Sequence, residues 1–310
     1  MSASQQEPRL KFVTCANPQG FHRMAYWEWG DPHNKKVLIC VHGLTRTGRD
    51  FDEVARRMST THRVICPDVV GRGASDFHIN PDYYAVPFYV ADMLTLIVHL
   101  SAEHIDWLGT SMGGLIGLGL MGARSQLQMS LGHNQFLPPQ TQLPIKHFIL
   151  NDVGPRLEIQ ALDCIGDYIG KKVTFDTLEE AAQTLKVVSA SFGPMSDEHW
   201  LAFARAGLKQ EGTQWVTQYD LKLADSFKIA NSSTYLEVSE NLLWACYTAI
   251  DCPILIIHGE QSDLLSAQTV EQMLAFNARA TAKHIPLTGH APALLETEQV
   301  DMVQDFLLDK

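Results

Sequence analysis

The sequence predicts an α/β fold: a mostly parallel sheet with helices on both faces and a helical cap inserted after the sixth strand. Three observations carry that prediction. Short apolar runs of strand length, at 36–41, 63–66, 105–108, 148–150, 253–257 and 282–285, alternate with helix-length segments, as right-handed crossovers in a parallel sheet require. One of those runs leads through Gly109-Thr110-Ser111-Met112-Gly113 straight into a glycine- and leucine-rich helix. Between Pro155 and Asp251 the alternation stops, and about a hundred residues stand where a few would close the connection.

Taken in order, residues 1–8 read as a frayed tail, and 11–14 and 23–29 as strands joined by a turn at Pro18-Gln19-Gly20. Residues 36–41 are continuously apolar, as a strand buried on both faces must be. They end in His42-Gly43-Leu44. A helix at 51–58 and a strand at 63–66 follow, opening into the glycine-rich loop Asp68-Val-Val-Gly71-Arg72-Gly73-Ala-Ser75. Residues 88–100 carry apolar positions at helical spacing, 105–108 form the strand before Ser111, and 112–128 the helix after it. A polar, proline-containing connection spans 130–144, before the strand at 148–150. The long interval reads as helices at 157–169, 177–190, 196–208 and 232–249, the second opened by a capping box at Thr177 and Glu180. Strands at 253–257 and 282–285, with helices at 267–276 and 298–308, complete the chain. The expected division is a core of 1–155 and 250–310 and a cap of 156–249.

Bulk properties exclude several function classes. Hydrophobic residues at 45% and charged residues at 19% are ordinary for a folded protein. A net charge of −11, with no basic cluster longer than two lysines, argues against a nucleic-acid partner. The first eleven residues hold no apolar run, so no secretory signal is expected and the cytoplasm is the expected location. The longest uncharged apolar run, 112–123, is too short to span a bilayer, so no membrane partner is expected. Six cysteines without Cys-x-x-Cys spacing read as buried thiols rather than a zinc site.

The Gly-x-Ser-x-Gly pattern suits a serine held on a sharp strand-to-helix turn. The residues two before and two after are forced together there, which is why glycine is needed at 109 and 113. Three fixed positions match by chance about 0.1 times in a chain this long, so the partners must decide. A serine hydroxyl needs a base, normally an imidazole fixed by a carboxylate. In a parallel sheet the chemistry lies beyond the C-terminal ends of the strands. Of thirteen histidines, His290 sits there in a turn bounded by Gly289 and Pro292. His42 reads as ordering a neighbouring loop, and His258 as loop packing. Asp263, in the turn after the penultimate strand, is the expected acid. Asp152, following the strand next to that of the nucleophile, is its rival, and Glu260 a third candidate. The backbone N–H groups of Leu44 and Met112 are the expected oxyanion hole.

Together His42-Gly43, Asp68-x-x-Gly71-x-Gly73-x-Ser75, Gly109-x-Ser111-x-Gly113-Gly114, Gly259-x-x-x-Asp263 and Gly289-His290 resemble the α/β-hydrolase superfamily. Within it the chain is similar to the capped branch of carboxylesterases, lactonases and carbon–carbon bond hydrolases. The resemblance covers about residues 23–155 and 250–310. It implies an eight-stranded, mostly parallel sheet and neither a metal nor an organic cofactor. Ser111 separates the chain from branches with an aspartate nucleophile. The expected activity is cleavage of a small-molecule carboxylic ester through an acyl-enzyme, with Trp200, Phe203, Trp215 and Trp244 lining an apolar pocket. Carbon–carbon cleavage or lactone opening is the alternative, for which Arg156, Arg205 or Lys222 would meet a substrate carboxylate. A small-molecule receptor without turnover is the remaining one.

Overall fold

The structure, a computed structural model, describes residues 7–131, 143–231 and 233–309, with side chains for all but 123–131 and 233–235. The edge strand β1 (Arg9–Asn17) and its neighbour β2 (Gly20–Trp29) form an antiparallel hairpin through the turn at Pro18 and Gln19. The alternation then runs β3 (Lys36–Val41), α1 (Asp52–Met58), β4 (Arg63–Pro67), α2 (Val86–Leu100), β5 (His104–Thr110), α3 (Met112–Leu131) and β6 (Ile145–Asn151). Most of the expected 130–144 connection lies outside the described residues.

After β6 come α4 (Ile159–Tyr168), β7 (Thr174–Phe175), α5 (Leu178–Val188), α6 (Asp197–Gly207), β8 (Leu208–Glu211), β9 (Gln214–Thr217), α7 (Leu223–Ala230) and α8 (Ser233–Thr248). The chain returns to the sheet through β10 (Ile254–Gly259), α9 (Ala267–Phe276), β11 (Ala280–Ile285) and α10 (Thr297–Leu307). The eight-stranded sheet has the order β1-β2-β4-β3-β5-β6-β10-β11 and is parallel from β4 onward.

Alternation of side chains along each strand fills two separate cores. Val37, Ile39, Ile65, Trp107, Phe148, Leu150 and Ile256 face one side, beneath α2, α3, α8 and α9. Leu38, Cys40, Val64, Leu108, Ile149, Leu255 and Ile257 face the other, beneath α1 and α10. Both faces are dry, which accounts for the unbroken apolar runs in the sequence. It also leaves polar chemistry only at the strand ends.

The interval between β6 and β10 is not entirely helical. β7, β9 and β8 form a small antiparallel sheet, and α7 is a further helix. Strands of two to four residues, turning at Gly212 with φ +62°, are too short to establish a period of two in the sequence. The helix starts are as expected where capping fixes them: Thr177 Oγ1 accepts from Glu180 N at 3.0 Å and Ser196 Oγ from His199 N at 3.1 Å.

This insertion is fastened to loops at the C-terminal rim of the sheet. Thr47 Oγ1 donates to Ala206 O at 2.8 Å, and Gly73 N to Gln218 O at 2.8 Å. Gly289 N donates to Ser191 O at 2.5 Å, and Tyr84 Oη to Asp220 Oδ2 at 2.7 Å. The loops after β3, β4 and β11 therefore share contacts with the inserted segment.

Candidate active site

β5 ends next to β3 on one side and β6 on the other, with Val41 opposite Gly109 and Asn151 opposite Thr110. Ser111 follows at once with φ +51°, a left-handed conformation for a residue with a side chain. Its N–H donates to Asn151 O at 3.0 Å, and its carbonyl accepts from Gly114 N at 2.9 Å. A Cβ on Gly109 would lie 2.4 Å from the Gly113 carbonyl carbon, and one on Gly113 would lie 2.0 Å from Val41 O. The close approach expected of this turn is present, and only glycine fits it.

The Ser111 hydroxyl lies 2.9 Å from His290 Nε2, and His290 Nδ1 lies 2.8 Å from Asp152 Oδ2. A carboxylate only accepts, so Nδ1 carries the proton and Nε2 presents a lone pair to the hydroxyl. The residue beside the imidazole is thus Asp152, and the expectation of Asp263 is corrected. Asp152 follows β6, between the strands of Ser111 and of Gly259, with φ +54° turning its carboxylate along the rim. Its side chain is fully buried. Oδ1 accepts from Gly259 N at 2.8 Å, and Oδ2 accepts from Ser262 Oγ at 2.6 Å as well as from the imidazole.

The same turn explains why Asp263 is elsewhere. Ser262 points inward, its Oγ also accepting from Leu264 N and Leu265 N at 3.3 and 3.1 Å. Leu264 and Leu265 are buried, so the residue between them and Ser262 is turned outward, and Asp263 is exposed. Glu260 is likewise exposed. Ser262 and Asn151 are contributors that sequence reasoning missed. Asn151 Nδ2 donates to Thr110 Oγ1 at 3.0 Å and to Pro292 O at 2.9 Å, joining the nucleophile strand to the His290 loop. A polar residue closing an otherwise apolar strand was the available signal.

The loop after β3 lies against the serine: a Cβ on Gly43 would sit 3.7 Å from Ser111 Cβ. Met112 is the first residue of α3, so its N–H has no carbonyl one turn earlier to bond. His42 orders this loop as expected. Its Nε2 accepts from Val69 N at 2.9 Å, so Nδ1 donates to Gly43 O, 2.7 Å away. Complete burial, reinforced by the positive charges of Arg72 and Arg46, pushes its pKa down to about 3. The unfolded chain takes up a proton near the ordinary 6.5 that the folded chain refuses, so this stability is present above that pH and lost as pH falls towards 3. Between pH 6.5 and 5 the wild type should lose about 2 kcal/mol more stability than His42→Gln, from 1.4 kcal/mol per pH unit. Urea midpoints at the two pH values measure this, and parallel losses would exclude it. His258 also packs as expected, its Nε2 donating to Leu265 O at 2.9 Å.

The glycine-rich loop after β4 is built around Asp68. Its carboxylate accepts from Gly48 N at 2.8 Å and Ala74 N at 2.9 Å, and burial pushes its pKa up to about 6. Gly73, at φ +54°, lies so close that a Cβ would strike Oδ2 at 2.3 Å.

Each aromatic residue expected in a pocket has apolar or aromatic neighbours. Trp200 and Phe203 are buried in a small core of the insertion, with Trp215 against it. Trp244 packs edge-on to Tyr247 and Phe276. Amphipathic helices lying outside the main sheet need their own core, and Trp200 and Phe203 supply part of it, whereas Trp244 packs on the main core. The three cations considered for a substrate carboxylate each have a partner within the protein. Arg156 pairs with Glu240 at 2.7 Å, Arg205 lies over Trp215, and Lys222 donates to Ile79 O. A cavity of about 450 Å³ between the start of α4 and α8 is lined by Arg156, Leu157, Leu236 and Leu243, among others, and by none of Ser111, Asp152 or His290.

Among the described residues, two side-chain groups have metal-ligand chemistry, His104/Asp106/His147 and Cys15/His22/Asp92. In the first, Asp106 is a hydrogen-bond hub for His62, His104 and His147 at 2.8–2.9 Å. It belongs to the opposite end of β5, about 17 Å from Ser111 at the rise of a strand. In the second, Asp92 Oδ2 accepts from His22 Nε2 at 2.9 Å. No helix among the described residues is long and apolar enough to cross a membrane.

With a parallel sheet, a serine on a strained turn and an imidazole at its hydroxyl, the chain has the marks of one large enzyme class. The sequence profile of the Alpha/beta hydrolase family matches residues 38–303, and the chain belongs to that family. It is 44% identical over 310 residues to the 3-hydroxybutyrate-oligomer hydrolase of Cupriavidus necator, covering 99% of both chains. Among solved structures, an alpha/beta hydrolase from Novosphingobium aromaticivorans superposes with a TM-score of 0.81 at 29% identity, over 98% of this chain and 99% of that one. E-2-(acetamidomethylene)succinate hydrolase shares the fold at a TM-score of 0.74 and 18% identity, over 96% and 99%.

Proposed function

We propose that this chain hydrolyses the ester bonds of short 3-hydroxybutyrate oligomers, with Ser111 as nucleophile, His290 as base and Asp152 as orienting acid. The observation that carries the reading is the run of hydrogen bonds from Ser111 Oγ through both ring nitrogens of His290 to Asp152. The substrate class comes from the 44% identical relative.

Ser111 Oγ attacks the ester carbonyl carbon as its proton passes to His290 Nε2. The oxyanion that forms is met by the N–H groups of Leu44 and Met112, which come from the loop and helix start flanking the serine. Collapse breaks the ester C–O bond, and the departing alkoxide of the neighbouring hydroxybutyrate unit takes the proton from His290. Water then attacks the acyl-enzyme, again giving its proton to Nε2, and 3-hydroxybutyrate leaves as Ser111 recovers its proton. Residues 156–249 serve as a cap, held on the rim loops by the contacts at Ala206, Gln218 and Ser191.

The test is a parallel assay on the linear dimer and trimer of 3-hydroxybutyrate, p-nitrophenyl butyrate, lactones and dienoate diketones. The linear oligomers are expected to have the highest kcat/KM, by about tenfold or more, the scale of one or two well-placed contacts. Faster turnover of a lactone or a carbon–carbon bond would replace this reading.

A further inference from the structure

Arg72 is part of the glycine-rich loop after β4, and its side chain is among the largest that are fully buried. Its guanidinium reaches into the space between that loop and the serine. Nε donates to Leu44 O at 2.8 Å. Nη1 donates to Val70 O at 2.8 Å and to Tyr89 Oη at 2.9 Å, and Nη2 lies 3.3 Å from Met112 Sδ. The faces of Tyr89 and Tyr84 lie 5.0 and 5.8 Å from its central carbon.

Two features of this arrangement go together. The guanidinium touches both residues whose N–H groups are assigned to the oxyanion, one through its carbonyl and the other through its sulfur. Burying a charge is costly unless it is paired, yet among the described residues Arg72 takes part in none of the ion pairs with a carboxylate. It is surrounded by neutral acceptors and ring faces, and Arg stays protonated at any pH the protein meets. The counter-charge that this buried cation lacks is the one that appears when Ser111 adds to a carbonyl.

We infer that Arg72 is a positioning residue for the oxyanion hole, clamping the Leu44 and Met112 segments together and holding a permanent positive charge behind their N–H groups. The inference rests on the Ser111 mechanism proposed above. The clamp is also tied to the insertion, because Arg72 pairs with Tyr219 as an antiparallel bridge while Asp220 N donates to Gly71 O at 2.8 Å.

Arg72→Lys and Arg72→Met test it, with kcat, KM and thermal midpoint measured alongside affinity for a trifluoromethyl ketone, which forms a tetrahedral oxyanion adduct on a serine. Arg72→Met is expected to lower kcat by about 100-fold, the range seen on losing one oxyanion donor, with KM within about threefold. Affinity for the ketone should fall by a matching factor, while inhibition by free 3-hydroxybutyrate stays unchanged. Arg72→Lys keeps the charge without the planar fork and should retain about a tenth of kcat. If Arg72→Met fails to fold, Arg72→Lys carries the test alone. A kcat within twofold of wild type, ketone affinity unmoved, or a loss that only follows the folded fraction would each overturn the proposal. Failure of the mechanism itself reads differently: wild-type protein would not bind the ketone at all, whatever stands at position 72.

Discussion

Replacing Ser111 with alanine is expected to lower kcat on 3-hydroxybutyrate dimers and on p-nitrophenyl esters by about 10⁴-fold or more, with KM little changed. That factor corresponds to about 5.5 kcal/mol of lost transition-state stabilisation. The proposed covalent route would go with the hydroxyl, because among the described residues Ser111 is the nucleophile hydrogen-bonded to His290 Nε2. What survives should be the water reaction assisted by the Leu44 and Met112 N–H groups. The fold should be unaffected, since Ser111 is held by its backbone bonds to Asn151 and Gly114 and, among the described residues, its hydroxyl bonds the imidazole. Titration with a fluorophosphonate measures the same atom independently. Activity within tenfold of wild type, or labelling retained in the alanine variant, would remove Ser111 from the mechanism.

Asp152→Asn and Asp263→Asn are expected to separate sharply. The first should reduce kcat by about 10⁴-fold, as replacing the acid of such a relay does elsewhere. An amide at 152 can donate to His290 Nδ1, which fixes the tautomer with its proton on Nε2 and leaves Ser111 facing a donor instead of a base. The second variant should stay within about threefold of wild type, because Asp263 is an exposed carboxylate on the outer side of its turn. Steady-state kinetics on one ester decides between them. A large loss at 263 with little at 152 would mean that the loop after β10 rearranges when substrate is bound.

These two variants also mark where sequence reading stops. The serine turn was legible at 109–113 because part of its constraint is local: a Cβ on Gly109 would meet the Gly113 backbone within five residues of chain. His290 was legible as well, being a histidine in a turn beyond a strand. The choice between Asp152 and Asp263 had no local signature, since both follow strands and both lie in short turns. It depends on the inward turn of Ser262, which does not show in the order of residues. The aromatic residues of the insertion meet a related limit. Trp200 and Phe203 at helical spacing reveal a face that must be buried, without revealing against what.

Periodicity and backbone sterics, which act over a few residues, made the alternating sheet, the strained serine and the role of His42 readable from the chain alone. The carboxylate partner of His290, the short strands β7 to β9 and the seat of Arg72 between Leu44 and Met112 were settled only by tertiary structure. Each joins segments far apart in sequence, and a hydrogen bond at 2.8 Å is specified by where two backbones come to rest, not by the residue types that make it.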